Sequence, residues 1–117
     1  MKITQLGKAL DKEKYVIDEK SKSFSTTEDN LVLDFSDEYG WVFKTGSDCT
    51  FKTGSDCTFD TGSDCTFDTG YGCTFNTGSN CVAVRRDIYE VIEIPEGKKI
   101  KINEYGTKGW KEAEKWK

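Results

Sequence analysis

The chain has 117 residues, enough for one domain with a single continuous core, and its net charge is −4. Only 35% of the residues are hydrophobic, but seven Phe, five Tyr and three Trp argue against a disordered chain. No apolar run approaches the roughly 20 residues of a transmembrane helix, and the N-terminus lacks a signal-peptide core, so we expect a cytoplasmic protein without membrane contact.

Residues 1–32 precede the repeated part of the sequence and contain six acidic and six basic side chains. Residues 14–17 have the composition of a short strand, and no long apolar face follows that would favour a helix. We therefore predict an irregular or strand-containing N-terminal cap in this segment.

An eight-residue repeat occupies residues 33–84, with degenerate units at both ends. Two columns define it, Cys at Cys49, Cys57, Cys65, Cys73 and Cys81, and Phe at Phe43, Phe51, Phe59, Phe67 and Phe75. Leu33 and Trp41 extend the Cys column towards the N-terminus, and Phe35 extends the Phe column. A period too short for a helix crossover predicts an all-β fold, a short parallel β-solenoid.

The alternation of side chains along a strand assigns the two faces of each repeat unit. Cys57 and Phe59 point to one side of the strand, whereas Thr58 and Asp60 point to the other. We therefore predict a core ladder of Cys and Phe. Two units per coil give a flat 16-residue coil in which each Phe meets a Cys across the core, and three units give a triangular 24-residue coil. We favour the two-sided coil because large against small side chains fill the space between two sheets.

Residues 85–117 leave the repeat and are basic, with a net charge of +2. Tyr89 and Val91 alternate with Glu90 and Ile92, and a Pro-Glu-Gly turn precedes the segment KKIKI. This pattern predicts two further strands that form a C-terminal cap. Caps at both ends protect the unpaired backbone of an open solenoid.

The segment FDTGYGCTFNTGSNC and the following VAVRRDIYEVIEIPEGKKIKINEYGTKGW resemble octapeptide-repeat proteins of bacteriophages and prophages. The resemblance covers roughly residues 24–110 and implies a viral or mobile-element origin. A weaker resemblance, through Thr-Gly-Tyr-Gly at residues 69–72, is to the 16-residue coils of bacterial ice-nucleation proteins.

The five Cys suggest three kinds of chemistry, namely a buried structural ladder, disulfides or a metal site. Metal sites typically have close pairs such as C-x-x-C, whereas no two Cys here are nearer than eight residues. An odd number of Cys prevents complete internal pairing and fits a reducing compartment. We predict a structural ladder without metal or cofactor. Calcium at the corner residues Asp48, Asp56 and Asp64 is not predicted, because each unit has one Gly and lacks the G-G-x-G-x-D nonapeptide.

Catalysis has little support in the sequence. The chain has no His, so the commonest general base is missing. Asp60 and Asp68 are predicted to point outward on strands, without an apolar pocket that would shift their pKa. We therefore predict no catalytic residues and a protein that is not an enzyme.

Residues 33–84 carry a net charge of −6, which disfavours direct nucleic-acid binding by the repeat. We predict an interaction protein that binds a host or phage protein, such as a nucleic-acid-binding or defence protein that it inhibits. The predicted contact residues are the acids Asp48, Asp56, Asp60, Asp64 and Asp68, with Arg85 and Arg86 as a candidate anion site or as neutralising charges.

Two other function classes remain open at this point. The solenoid could be a structural spacer or a virion or filament component, forming homo-oligomers through its edges or ends. Ice binding is a third hypothesis, but it needs two regular Thr columns, and here one of the two outward columns is mostly charged.

Overall fold

The computed structural model describes residues 2–113 as two seven-stranded β-sheets that enclose one hydrophobic core, with a single 3-10 turn at Lys12–Lys14. The first seven strands are β1 (Lys2–Gln5), β2 (Lys8–Ala9), β3 (Val16–Asp18), β4 (Ser23–Ser25), β5 (Leu31–Phe35), β6 (Val42–Lys44) and β7 (Thr50–Thr53). The other seven are β8 (Thr58–Asp60), β9 (Thr66–Thr69), β10 (Thr74–Asn76), β11 (Cys81–Arg85), β12 (Glu90–Ile94), β13 (Lys99–Ile102) and β14 (Trp110–Glu112).

Consecutive strands of the repeat alternate between the two sheets. Sheet A has the order β12-β11-β9-β7-β5-β1-β2, and sheet B has the order β14-β13-β10-β8-β6-β4-β3. All neighbours from β5 to β11 in sheet A and from β4 to β10 in sheet B are parallel. The chain therefore winds as a parallel β-solenoid, as the repeat predicts.

The strand register fixes the length of one coil. Phe59 pairs with Phe75 in sheet B, and Phe51 pairs with Phe67 in sheet A, so each coil contains two repeat units. Lys44 accordingly stands beside Asp60 and not beside Asp68. The 16-residue, two-sided coil is confirmed, and the triangular alternative is wrong.

Phenylalanine rings fill the core between the sheets. Rings of one sheet stack on each other, as in the pair Phe51–Phe67 with centroids 4.9 Å apart, and rings of opposite sheets meet edge to face, as in Phe59–Phe67 at 4.7 Å. The expected pairing of each Phe with a Cys across the core is therefore replaced by Phe–Phe contacts. Edge-to-face and offset arrangements suit the quadrupoles of aromatic rings, which explains why two large columns share the centre.

The first coil departs from the register that the sequence indicates. Leu33 pairs with Phe51 and Phe35 pairs with Thr53, so Leu33 takes a Phe position and Phe35 takes a Thr position. The assignments of Leu33 to the Cys column and of Phe35 to the Phe column are therefore wrong. Ten residues separate Leu33 from Phe43, the equivalent position of the next strand, whereas eight separate Phe43 from Phe51, and Phe35 contacts Trp41 edge to face.

Antiparallel strands close both ends of the solenoid. At the N-terminal end β1 pairs with β2 and β5, and β3 pairs with β4. At the C-terminal end β12 pairs with β11, and β13 pairs with β10 and β14. The parallel ladder itself begins at β4, within residues 1–32, and residues 114–117 of the predicted C-terminal cap lie outside the described residues.

We expect Phe59→Ala to lower the free energy of unfolding by about 3–5 kcal/mol, because it opens a cavity in a fully buried stack. The ring of Phe59 stacks at 5.3 and 5.1 Å on its neighbours in sheet B and meets two rings of sheet A at 5.1 and 4.7 Å. Urea unfolding measures the loss. Asp60→Asn, the adjacent outward residue, is the control and should change stability by less than about 0.5 kcal/mol. Equal effects would contradict the assignment of the two faces.

Candidate interaction surface

Asp60 and Asp68, two of the five predicted contact acids, lie on opposite faces of the solenoid. Asp60 belongs to β8 in sheet B, and Asp68 belongs to β9 in sheet A. Lys44 is paired with Asp60 across the ladder, and Lys52 is paired with Asp68. Opposite charges at such positions attract each other and stabilise a sheet. Both faces therefore carry mixed charge, and the five acids do not form one continuous surface.

Arg86 adds a second basic partner to Asp68. Its Nη1 donates hydrogen bonds of 2.8 Å to the carboxylate and to the backbone carbonyl of Asp68. Its Nη2 donates to the carbonyl oxygen of Thr53 at 2.5 Å. Of the two roles predicted for Arg86, anion binding and neutralisation, these contacts represent neutralisation of an acid on sheet A.

The other three candidate acids, Asp48, Asp56 and Asp64, are exposed at corners where the chain passes from one sheet to the other. Their φ angles are 58°, 60° and 59°, in the left-handed region. Asp and Asn enter this region more readily than other residues with a side chain, and Gly enters it freely. Equivalent corners hold Asn30, Gly40, Gly72 and Asn80, all with positive φ. The requirement for this backbone conformation explains why Asp recurs in the repeat.

The corners form two edges on opposite sides of the flat coil. The serine edge consists of residues 29–30, 47–48, 63–64 and 79–80, and the tyrosine edge consists of residues 39–40, 55–56 and 71–72. Backbone hydrogen bonds connect successive corners, from Asp48 N–H to the Ser63 carbonyl and from Asp56 N–H to the Tyr71 carbonyl, each 2.9 Å long. Asp48 and Asp64 therefore share the serine edge, and Asp56 lies on the tyrosine edge.

Side chains on the serine edge bond from one coil to the next. The backbone N–H of Ser63 donates to Ser47 Oγ at 3.0 Å, and the N–H of Ser79 donates to Ser63 Oγ at 3.0 Å. Gly62 makes room for this ladder, because a Cβ at that position would overlap with Ser47 Oγ. The serine edge is a regular structural ladder with carboxylates at its surface.

The tyrosine edge is less regular and more aromatic. Gly72 N–H donates to the Asn103 carbonyl at 3.1 Å, which extends this edge into the loop between β13 and β14. Tyr39 is 63% exposed and Tyr105 is 72% exposed, and the rings of Tyr71 and Tyr105 meet edge to face with centroids 5.5 Å apart. Sequence reasoning missed these three tyrosines as contact candidates. The available signal was Tyr-Gly at residues 39–40 and 71–72, where three other units have Ser-Asp and one has Ser-Asn.

Arg85 cannot serve as an exposed binding residue, because its side chain is completely buried. It donates to both carboxylate oxygens of Asp87, at 3.1 and 2.6 Å, and to the carbonyl oxygens of Glu104 and Thr107, at 3.1 and 2.5 Å. Glu90 lies 3.5 Å from its guanidinium group. The prediction of Arg85 as a surface site is wrong, because the guanidinium joins the end of β11 to the C-terminal cap loop.

Asp87 completes this buried cluster. Burial by itself raises the pKa of Asp87, but hydrogen bonds from Arg85 and from Gly106 N–H, together with the Arg85 charge, lower the pKa below its usual value. Glu90 accepts both of its hydrogen bonds from Gly109 N–H, at 3.1 and 3.0 Å. The cap therefore depends on a charge cluster whose hydrogen-bonding groups are paired.

The Cys form two buried columns inside the two edges, as the predicted core ladder requires. All five are free thiols, stacked as Cys49, Cys65 and Cys81 on one side and as Cys57 and Cys73 on the other. Hydrogen bonding with Cys49, and then burial, raise the pKa of Cys65, and burial raises that of Cys81. Residues 2–113 contain no group of three or more Cys, Asp or Glu side chains arranged to hold a metal ion.

Comparison with known proteins adds no relative to this description. No protein-family model matches the chain, and neither a curated protein nor a solved structure matches it. Among residues 2–113, no helix has the length and apolar character needed to cross a membrane. The class that the fold defines is thus a capped, two-sided parallel β-solenoid.

We expect Asp64→Asn to leave stability within about 0.5 kcal/mol of the native value, since Asn80 occupies the equivalent corner with φ of 59°. Asp64→Val should cost about 1–2 kcal/mol, because a β-branched residue is strained in the left-handed region. Urea unfolding compares the two variants. Equal losses would mean that the carboxylate, rather than the backbone conformation, is what the corner requires.

We expect Asp87→Asn to lower stability at neutral pH by about 3 kcal/mol, because it removes the closer of the two ionic partners of the buried Arg85 and leaves only Glu90, at 3.5 Å. The lowered pKa of Asp87 in the folded state means that its contribution is complete above the unfolded-chain value of about 3.9 and is lost as the pH falls through the folded value. Unfolding measured from pH 7 to pH 2 should therefore show a shallower acid limb for the variant.

The control for this titration is Asp60→Asn, which removes one exposed carboxylate and leaves the bonds to Arg85 intact. An acid limb that is identical in the native protein and in Asp87→Asn would contradict the role of Asp87 in the cap.

Proposed function

We propose that this protein is a non-enzymatic β-solenoid that binds a macromolecular partner through the acidic corners of its edges. The observation that supports this proposal is the distribution of charge. The acids on the flat faces stand beside Lys or Arg, whereas Asp48, Asp56 and Asp64 are exposed at corners with no basic residue paired to them in the strand register. The net charge of −6 in residues 33–84 is therefore concentrated along the edges.

The corner acids are held at fixed positions on a stiff scaffold. Successive corners on one edge are one strand spacing apart, about 4.8 Å, and backbone hydrogen bonds join them. Preorganised carboxylates, adjacent at Asp48 and Asp64 on the serine edge, attract a basic surface from a distance and lose little conformational entropy on binding. Basic protein grooves that normally bind nucleic acid complement such carboxylates.

The resemblance of the repeat to bacteriophage and prophage octapeptide proteins supports a partner in a bacterial host. A host nucleic-acid-binding or defence protein, occupied and inhibited by the solenoid, fits both the charge and this origin. The resemblance bears on origin, and the assignment of the contact surface rests on the charges alone.

The test is capture from bacterial lysate on the immobilised full chain, with two variants of equal charge change. Asp48→Asn/Asp56→Asn/Asp64→Asn neutralises corners, and Asp34→Asn/Asp60→Asn/Asp68→Asn neutralises the faces. Asp34 lies on β5 in sheet A, beside Lys52. We expect a captured protein to be lost from the corner variant and kept by the face variant. Its binding should also weaken steeply as salt rises towards about 1 M, where the Debye length is about 3 Å.

The variants serve as controls for each other, because both remove three carboxylates. In the face variant, Arg86 keeps its bonds to the carbonyl oxygens of Thr53 and Asp68. Equal capture by the two variants, or capture that does not respond to salt, would contradict a contact through the corner acids.

A further inference from the structure

The tyrosine edge contains two corners whose composition differs from that of the others. Four corners have Ser before the corner residue, at Ser47, Ser55, Ser63 and Ser79, whereas two have Tyr, at Tyr39 and Tyr71. The backbone there keeps the geometry of the other corners, since Gly72 has a φ of 71° and its N–H bonds to the next layer. The tyrosine therefore adds an aromatic ring without altering the coil.

A groove with aromatic ends lies on this edge between Tyr39 and Tyr71. These residues are two coils apart, about 10 Å at one strand spacing per coil, and the intervening corner consists of Gly54, Ser55 and Asp56. Small residues thus form the floor between two tyrosines. The Cβ of Tyr39 stands directly over Gly54, 3.4 Å from where a Cβ of that glycine would be.

Carboxylates converge on the same edge. A Cβ at Gly72 would overlap with Asp56 Oδ1 and would lie 3.4 Å from Glu104 Oε1, so both carboxylates flank this glycine. Asp37 and Glu38 line the groove at its Tyr39 end. Glu38 accepts a 2.9 Å hydrogen bond from Trp41 Nε1, and Lys101 lies 3.6 Å from Glu104, so part of this charge is engaged within the chain.

A cation of the chain itself already uses one of these rings. The ammonium group of Lys22 lies 4.6 Å from the centroid of the Tyr39 ring and donates a 3.3 Å hydrogen bond to the Tyr39 carbonyl. A cation over an aromatic face within about 6 Å is attracted by the quadrupole of the ring. Because Lys22 engages Tyr39, the neighbouring pair Tyr71 and Tyr105 offers the aromatic surface of this edge to a cation from outside the chain.

We propose that the tyrosine edge is a docking surface for an arginine-rich segment of a protein partner, with guanidinium groups stacked on Tyr71 and Tyr105 and paired with Asp56. This inference rests on the proposed function and names the partner chemistry for one of its two edges. Arginine fits better than lysine because its planar guanidinium stacks on a ring and pairs with a carboxylate at the same time. Nucleic acid and anionic membranes do not fit, since the carboxylates repel phosphate.

The probe is a fluorescein-labelled hexa-arginine peptide, with hexa-lysine as the comparison, titrated with the full chain by fluorescence anisotropy. Tyr71→Ser introduces the residue that four other corners have at this position and leaves the charge unchanged. We expect it to weaken hexa-arginine binding about tenfold. Hexa-lysine should bind the native protein more weakly and should respond less to the variant.

A matched pair of variants distinguishes the contributions of the two edges to peptide binding. Asp56→Asn on the tyrosine edge and Asp64→Asn on the serine edge make the same chemical change at the same left-handed corner position. We expect Asp56→Asn to weaken hexa-arginine binding several-fold more than Asp64→Asn. If Tyr71→Ser does not fold by circular dichroism, Tyr105→Ala, an exposed residue of the cap loop, tests the same aromatic surface.

Unchanged affinity in Tyr71→Ser or Tyr105→Ala, equal losses from Asp56→Asn and Asp64→Asn, or equal binding of hexa-lysine would each overturn the proposal. Lysate capture that depends on the corner acids but not on Tyr71 would also overturn it while leaving the proposed function intact. Loss of capture in Tyr71→Ser, with hexa-arginine binding weakened in parallel, would support both.

Discussion

Every feature of this molecule depends on closing a half-coil within eight residues. A chain that returns to the same sheet after two repeat units must reverse direction twice per coil, and each reversal uses one residue in the left-handed region. This conformation costs an ordinary residue about 1–2 kcal/mol, which selects Asp, Asn or Gly at the corner. The Gly two residues before the corner lets the adjacent coil approach closely, as at Gly62, where a Cβ would overlap with Ser47 Oγ. The acidity of the edges is partly a by-product of this backbone requirement.

The corners also explain why the negative charge of the repeat is not spread evenly. On the faces, the strand register brings Asp60 beside Lys44 and Asp68 beside Lys52, so the charges compensate. At the corners, the left-handed conformation favours Asp, Asn or Gly, and three of the seven corner residues are acidic, namely Asp48, Asp56 and Asp64. The edges therefore carry exposed carboxylates that no residue of the strand register neutralises. Only on the tyrosine edge does the composition vary enough to give a distinctive surface.

The sequence predicts the regular part of this fold because the repeat interval and the alternation of inward and outward side chains can both be read from neighbouring residues. The eight-residue interval and the alternation of Cys57 and Phe59 with Thr58 and Asp60 were sufficient to assign the solenoid and its inner face. The sequence also predicts the two-sided coil, but its argument that Phe packs against Cys across the core is incomplete, because Phe–Phe contacts fill the core. Leu33 and Phe35 were misplaced because a longer connection shifts the register without leaving a trace in the composition.

The candidate site was harder to predict than the fold, because it depends on where non-repeating segments return. Arg85 looks exposed in the sequence, beside Arg86 and Asp87, but the loop between β13 and β14 covers it and supplies the carbonyls of Glu104 and Thr107. No residue near Arg85 in the sequence indicates these contacts. Tyr71 and Tyr105 are likewise brought together only by the docking of the cap loop on the last corner.

Each cap extends both sheets, and the C-terminal cap pairs with the last two strands of the repeat. β12 pairs with β11 of sheet A and β13 pairs with β10 of sheet B. Insertion or deletion of one unit further upstream would move the cap, Arg85 and its loop together to the opposite sheets and keep these contacts, so it would turn this cap by half a coil relative to the N-terminal cap. A change of two units would also keep the relative orientation of the two caps and would alter only the height of the stack. The parity of the repeat number therefore sets how the two ends of the molecule face each other.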